Sequence, residues 1–227
     1  MIVTADEARA SIRVALALAI ALVGSATLSA CAPTAPPQGA PTANLVVPPV
    51  GSKWVIAQRD SGSYGSSSQQ ITSTRLEDQV WQGRKVRAYS DGSTTRFVDI
   101  DAGVTVAVVR ESTPIETFEP GVGWQWPLWT GKSWLGTFRY TDHVRGRTFN
   151  AVQVWYKVAA YDDVTVPAGK FKVFRVDSDA DQGALASSSW WSPEIGLTVK
   201  SRGERSARHY LGPGTRETEL VSHDLKR

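Results

Sequence analysis

The sequence predicts an all-β domain, an antiparallel meander of about ten to twelve strands that forms a curved sheet, a half-barrel or a sandwich. Apolar and polar residues alternate along Gly103 to Arg110, Trp134 to Thr141 and Phe149 to Tyr161, with the period of two that a half-buried strand requires. No stretch of the domain keeps helical spacing over a helix length. Turn-forming clusters such as Asp91-Gly92-Ser93 and Gly212-Pro213-Gly214 recur closely enough for hairpins and too closely for crossover helices.

The first 30 residues have the layout of a helical signal peptide. Arginines precede an uninterrupted apolar run from Val14 to Val23, and the small residues Gly24 to Ala26 follow it. Leu28-Ser29-Ala30-Cys31 then resembles the lipobox of bacterial lipoprotein precursors. This resemblance implies cleavage after Ala30 and a diacylglyceryl thioether on Cys31. A membrane-spanning helix needs about 20 apolar residues, so the apolar run is too short to be the mature anchor.

An ordinary signal peptide with an incidental cysteine is the alternative. Against it stands the composition, because Cys31 is the chain's only cysteine. Two or three acyl chains would hold the protein on a bilayer, at about 0.8 kcal/mol per buried methylene. In Gram-negative lipoproteins an aspartate after the cysteine commonly retains the protein at the inner membrane, and here Ala32 stands in that place. We therefore expect a lipid-anchored envelope protein, on the outer membrane and facing the periplasm.

Residues 31–50 are expected to form the acylated cysteine and a tether, and residues 51–227 the β-domain. Six prolines lie between Pro33 and Pro49 among alanines and threonines, a composition that cannot bury a core and stays extended. The β-domain is long enough to bury a core without disulfides. Because 25 lysines and arginines face 22 acidic residues and form no long basic run, nucleic acid is not expected as a partner.

Two parts of the domain, roughly residues 51–110 and 131–203, resemble each other weakly. The matching segments are Gly51-Ser52-Lys53-Trp54 with Gly131-Lys132-Ser133-Trp134, and Phe97 to Val106 with Trp190 to Val199. Each segment of the second pair would place an acid-bearing turn, closed by a glycine, between two strands. Either these hairpins are alike by chance, or the domain consists of two related meanders.

Three short motifs resemble those of a group of bacterial envelope proteins. Val164 to Phe171 reads V-x-V-P-A-G-x-F, Pro127 to Trp134 reads P-L-x-x-G-K-x-W, and Trp191 to Leu197 reads aromatic-x-P-x-x-G-L. The resemblance implies an all-β fold, distantly similar to the open barrels that carry or receive lipoproteins in the periplasm. It brings no catalytic residue with it.

Residue patterns typical of catalysis are sparse. His143, His209 and His223 are far apart in the sequence, and neither an H-E-x-x-H nor a G-x-S-x-G motif is present. We therefore expect no enzyme activity and no cofactor.

One acidic run has the beginning of a calcium-loop pattern. Asp177, Asp179 and Asp181 alternate, but the glycine comes one place late and Ser188 stands where the bidentate acid belongs. A polar hairpin explains the run better, with weak calcium binding as the alternative. No resident metal is expected.

Tryptophans are concentrated in one segment of the chain. Trp124, Trp126, Trp129 and Trp134 fall within eleven residues, and the chain has nine tryptophans in all. An indole ring offers a broad apolar face and one N–H, which suits acyl chains, sugar rings or a partner protein. We expect Trp124, Trp126 and Trp129 to bind a ligand beside an apolar concavity, and Trp134 to point into the core. The alternative is that these rings only fill a barrel mouth or a sheet edge.

Two functions agree with these features. The favoured one is a non-catalytic envelope lipoprotein whose β-domain binds a hydrophobic ligand or an assembly partner, and it requires an apolar concavity. The alternative is a purely structural scaffold, which requires a filled interior and an exposed aromatic or charged patch.

Overall fold

The computed structural model describes residues 35–226, and all regular elements in this range are β-strands. The strands are β1 (Thr42–Ala43), β2 (Lys53–Gly62), β3 (Ser67–Arg75), β4 (Gln79–Trp81), β5 (Arg84–Ser90), β6 (Thr95–Asp99), β7 (Thr105–Arg110), β8 (Thr113–Val122), β9 (Leu128–Trp129), β10 (Ser133–Asp142), β11 (Arg147–Val166), β12 (Gly169–Ala180), β13 (Leu185–Ser192), β14 (Leu197–Arg205) and β15 (Gly214–Asp224). The all-β prediction is confirmed. The predicted signal peptide, its cleavage site at Ala30 and the lipidated Cys31 lie outside the described residues. Residues 35–226 contain no helix with the length and apolarity to cross a membrane.

Twelve of the strands form a closed antiparallel barrel. Neighbours in the ring follow the order β3-β2-β15-β14-β13-β12-β11-β10-β8-β7-β6-β5, and β5 pairs with β3 to close it. The closing contact is short, with Thr74 opposite Ser90 and Arg75 opposite Tyr89. β4 pairs with β5 alone, while β1 and β9 form a separate two-stranded sheet. The expected curved sheet therefore closes on itself.

The ring divides into two runs of six strands, β2–β8 without β4 and β10–β15, and matched hairpins in the two runs share their backbone structure. The turn glycines Gly103 and Gly196 both have φ +68°. The N–H of Gly103 donates to Asp99 O at 3.0 Å, and that of Gly196 donates to Ser192 O at 2.9 Å. Bulges interrupt the two hairpins at equivalent places, between Phe97 and Val98 and between Trp190 and Trp191.

The strand starts that the sequence pairs are also alike. Gly51 N–H donates to Arg75 O, and Gly131 N–H donates to Val158 O, both at 2.8 Å. The return bonds are likewise matched, from Arg75 N–H to Ser52 O and from Val158 N–H to Lys132 O. The sequence likeness therefore accompanies a repeated backbone structure.

Buried side chains form three clusters, and the largest lies on one face of β10 to β13. Its aromatic members are Trp134, Phe138, Tyr156, Phe174 and Trp191. Trp134 is 7% exposed, so it lies in the core as expected.

Part of the predicted tether is built into the domain. β1 pairs with β9, and Ala43 is 8% exposed within the largest cluster. A Cβ added to Gly196 would lie 2.6 Å from the Val46 carbonyl oxygen, so the chain crosses this turn at close range. Residues 42–50, the N-terminal strap, thus cover the barrel end that carries the β13–β14 turn. Among the described residues, the first strand therefore lies before Gly51.

Candidate functional site

A cavity of about 570 Å³ lies on the concave face of the barrel. Its walls come from β8 and β10 to β14, which are adjacent in the ring. It shares Phe138, Val154 and Tyr156 with the largest buried cluster, so it lies on the inner face of the sheet. Side chains alternate across a strand, and residues two apart on β11, Val152, Val154 and Tyr156, therefore face it together. The cavity is the apolar concavity that ligand binding requires.

The deep part of the cavity is aromatic. Phe118 packs edge-on against Phe138 at 5.8 Å between ring centroids and stacks on Tyr140 at 5.3 Å. Tyr156 stacks on Trp134 at 5.0 Å, and burial raises its pKa to about 12. This floor is thus uncharged at neutral pH.

Hydroxyl and carboxyl groups line the rim. Tyr140 Oη donates to Glu116 Oε1 at 3.0 Å, and Tyr210 Oη donates to Asp142 Oδ2 at 3.1 Å. The two tyrosine hydroxyls are 3.4 Å apart. Burial raises the pKa of Tyr140 and of Tyr210 above the ordinary tyrosine value. Glu116, Tyr140, Asp142 and Tyr210 are the rim network.

A loop between β14 and β15, residues 206–213, covers the rim and is termed the cap loop. Arg208, His209 and Tyr210 of this loop line the cavity. Arg208 Nη1 donates to Gln182 O at 2.6 Å in the β12–β13 turn. The Arg147 guanidinium lies 5.5 Å from the centroid of the Tyr210 ring. Polar contacts to two neighbouring turns thus hold the cap loop over the cavity.

Asp142 is the anchor of the cap loop and is 2% exposed. Burial alone would raise the pKa of its carboxyl, but hydrogen bonds from the Arg145 backbone N–H, the Arg145 side chain and the Tyr210 hydroxyl lower it below its ordinary value. Burial, aided by the charge of Arg205, lowers the pKa of His209. At neutral pH the site therefore combines an ionised Asp142 with an uncharged His209.

Charges of both signs face the polar end of the cavity. Arg205 and Arg208 contribute cations, while Glu116 and Asp181 contribute carboxylates. The Arg205 guanidinium lies 3.6 Å from the centroid of the Tyr64 ring, and its buried Nε has no hydrogen-bond partner within residues 35–226. The arrangement can accept a ligand whose polar head carries charge.

The three tryptophans predicted to bind a ligand take different places. Trp124 lines the cavity. Trp126 lies outside it, with its ring 5.9 Å from Trp124 and 4.8 Å from Trp191. Trp129 is 4% exposed in β9, where it pairs with the N-terminal strap, and it does not line the cavity.

A buried lysine holds the tryptophan segment in place. Lys132 Nζ donates to Gln125 O at 2.6 Å and to Pro127 O at 2.8 Å. It also lies 4.6 Å from the ring centroid of Trp129 and 5.5 Å from that of Trp134. Burial lowers the pKa of its ammonium group. These contacts give the P-L-x-x-G-K-x-W motif a structural role.

A second concavity, the wall slot, has a volume of about 620 Å³ and lies between β8 and β10. These two strands pair only where residues 116–119 face residues 139–142. Beyond that ladder they diverge, and residues 121–126 line one side of the slot while residues 134–138 line the other. Consecutive residues of β10 belong to opposite faces of the sheet, and both kinds line the slot, so the slot lies along the unpaired edge of this strand.

The acidic run forms a polar hairpin. Asp177 Oδ1 accepts a hydrogen bond from Ser188 Oγ at 2.7 Å, and Asp179 Oδ1 accepts one from Gly183 N–H at 2.8 Å. In the described part of the chain, no three histidine, cysteine or acidic side chains are grouped so that they could hold a metal ion.

The histidines do not converge. His143 Nε2 and Thr117 Oγ1 are 3.0 Å apart, His209 belongs to the cap loop, and His223 lies 6.1 Å from the Phe171 ring.

The sequence does not reveal the rim network, because its members come from distant parts of the chain. Glu116, Tyr140 and Asp142 share neighbouring strands, whereas Tyr210 is about 70 residues further on. The one available signal is the alternating Phe138 and Tyr140 on β10, which indicates an aromatic inner face.

No family model matches the sequence, and no curated protein is significantly similar to it. The structure is similar to that of a candidate lipoprotein from Parabacteroides distasonis, with 11% identity, 80% of this chain and 99% of that chain covered, and a TM-score of 0.39. It is also similar to a candidate exported protein with a YmcC-like fold from Bacteroides fragilis, with 11% identity, coverages of 80% and 99%, and a TM-score of 0.42. The hypothetical lipoprotein YmcC from Escherichia coli gives 11% identity, coverages of 76% and 84%, and a TM-score of 0.33. The likeness says nothing about a ligand.

Proposed function

We propose that the protein is a lipid-anchored lipoprotein of the bacterial cell envelope, on the outer membrane and facing the periplasm, whose barrel binds an amphiphilic ligand without catalysing a reaction. The lipobox at Leu28 to Cys31 supports the anchor. The cavity supports the binding role.

The volume of the cavity carries the proposal. Protein interiors are packed as densely as organic crystals, with few voids larger than a water molecule. A concavity of about 570 Å³ beside this densely packed core has room for a ligand, and its volume falls within the roughly 300–1,000 Å³ of small-molecule sites. An aromatic floor below a charged rim fits a molecule with an apolar body and a polar head.

A scaffolding role is the second candidate, and one observation favours it. Trp155 is 60% exposed on the outer face of β11, where an indole costs solubility unless a partner covers it. A scaffold would leave the cavity empty of any ligand.

Native mass spectrometry separates the two candidates. The sample consists of residues 32–227, which include every described contact but lack the cysteine that carries the anchor. They are exported to a bacterial periplasm and purified without detergent. We expect an added mass of a lipid-like molecule. Ala180→Phe should abolish the added mass, because Ala180 is buried on the cavity wall and a phenyl group there occupies ligand space.

Ala186→Phe is the matched control, since Ala186 is exposed on the neighbouring strand β13. It should retain the added mass. A clean unliganded mass, together with no uptake of fatty acids or phospholipids in vitro, would overturn the binding role in favour of the scaffold.

Anchoring is tested separately in cells. Cys31→Ser should abolish labelling by a radioactive or clickable fatty acid and release the protein from membranes. Membrane attachment that survives the substitution would overturn the lipobox interpretation.

A further inference from the structure

We propose that the wall slot is a lateral portal, through which a flexible acyl chain passes between solvent and the cavity. The inference rests on the proposed binding function and adds both the route and the chemical class of the ligand's apolar part.

The barrel wall is open at the slot. In a closed barrel each strand pairs on both sides, but β8 and β10 pair over four residues each. From Ser133 to Phe138 the edge of β10 that faces β8 has no strand partner among the described residues. A molecule can therefore cross the wall here without breaking a ladder of backbone hydrogen bonds.

The slot leads into the cavity. Four side chains, Val122, Trp124, Phe138 and Tyr156, line both spaces. Because the two spaces share these side chains, rotation of one of them could join the spaces, and side-chain rotations are far faster than opening of the sheet. Trp124 is only half-buried, which leaves it the most freedom of the three aromatic rings.

Apolar side chains are the majority of those that line the slot. Trp126 and Trp134 border it, and Asp101 is the single charged residue among those of the described range that line it. Leu135, which lines the slot, is 38% exposed and pairs across strands with the exposed Trp155. An apolar path thus runs from the outer surface to the aromatic floor, and it suits a methylene chain better than a hydrated sugar.

Glycines also lie on both sides of the slot, between its aromatic residues. Gly121 and Gly123 lie on the β8 side and Gly136 on the β10 side. Entry at the cap end would require the cap loop to move, because the Tyr210–Asp142 and Arg208–Gln182 hydrogen bonds hold this loop in place. Passage through the slot leaves those bonds intact.

The portal is tested by binding kinetics. Stopped-flow energy transfer from tryptophan to cis-parinaric acid, a fluorescent fatty acid, gives association and dissociation rates for residues 32–227. We expect Leu135→Asp to slow both rates about tenfold with an unchanged Kd, since a charge on the path raises the barrier but does not touch the bound chain.

Val144→Asp is the control, because Val144 is 64% exposed in the β10–β11 turn at the cap end. This control variant should have the association and dissociation rates of the wild type. Thr137→Asp, at an exposed residue that also lines the slot, repeats the test if Leu135→Asp proves unstable. Rates that are equal in wild type, Leu135→Asp and Thr137→Asp would overturn the portal while leaving the binding function intact. Absence of fatty acid binding by the wild type would overturn both.

Discussion

Lys132 provides the sharpest test of how the tryptophan segment is held. Lys132 is 8% exposed, and its ammonium group donates to the carbonyls of Gln125 and Pro127. Lys132→Met keeps an unbranched apolar side chain, one atom shorter, but removes the charge and the three donors. The segment that carries Trp124 and Trp126 should then loosen.

The magnitude follows from the contacts. A hydrogen bond with a charged partner contributes roughly 1.5–3 kcal/mol to stability, and a cation over an aromatic ring adds about 0.5–2 kcal/mol. Removal of the ammonium also removes its desolvation cost, the effect that lowers its pKa. We expect a net loss of about 2–3 kcal/mol in the free energy of unfolding. For a domain of this size that corresponds to a fall in Tm of roughly 4–12 °C.

Thermal unfolding of residues 32–227, followed by far-UV circular dichroism, measures the change. Lys157→Met is the matched control, because Lys157 is exposed on β11 directly opposite Ser133. It should stay within about 0.5 kcal/mol of wild type. If Lys132→Met and Lys157→Met unfold at the same temperature, Lys132 does not hold the segment and the reasoning is refuted.

Two further predictions concern the two ends of the barrel. Gly196→Ala should detach the strap, because its φ is +68° and the added Cβ would lie 2.6 Å from a strap carbonyl oxygen. Detachment is measured as faster proteolysis within residues 42–50. Gly39→Ala is the control, because Gly39 has a similar φ but open space around an added Cβ, and this variant should be cleaved at the wild-type rate. Asp142 has a lowered pKa in the folded protein, so its stabilisation of the cap loop is complete above its unfolded pKa of about 3.9 and is lost as pH falls through the lower folded value. The protection factor of residues 206–213 against hydrogen exchange, which corrects for the intrinsic pH dependence of exchange, should therefore fall in acid in the wild type. An equal fall in Asp142→Asn would contradict the role of this carboxylate.

The sequence predicts the strands well because alternation is a local property. β10 and β11 follow directly from the patterns at Trp134 to Thr141 and Phe149 to Tyr161. Closure of the barrel is not predictable in this way, since it depends on a two-residue pairing of β3 with β5. No local pattern encodes so short a contact between strands that are not consecutive.

The candidate site likewise contains residues that the sequence locates and residues that it does not. Trp124 is on the cavity as its aromatic neighbourhood suggests, but Trp129 is buried against the N-terminal strap. A proline-rich composition predicts an extended chain and does not say that the chain lies on the barrel. Tyr210 lies in the loop between β14 and β15, and the topology of the barrel brings this loop to the end of β10, where Asp142 lies.

The strap and the cap loop lie at opposite poles of the barrel, because successive turns of an up-and-down meander alternate between its ends. A strand of 10 residues such as β10 separates the poles by about 30 Å. If the amino terminus is acylated, the barrel is oriented with its strap end toward the lipid and its cap loop away from it. The charged rim then points into the aqueous compartment, and the wall slot opens sideways, parallel to the membrane surface.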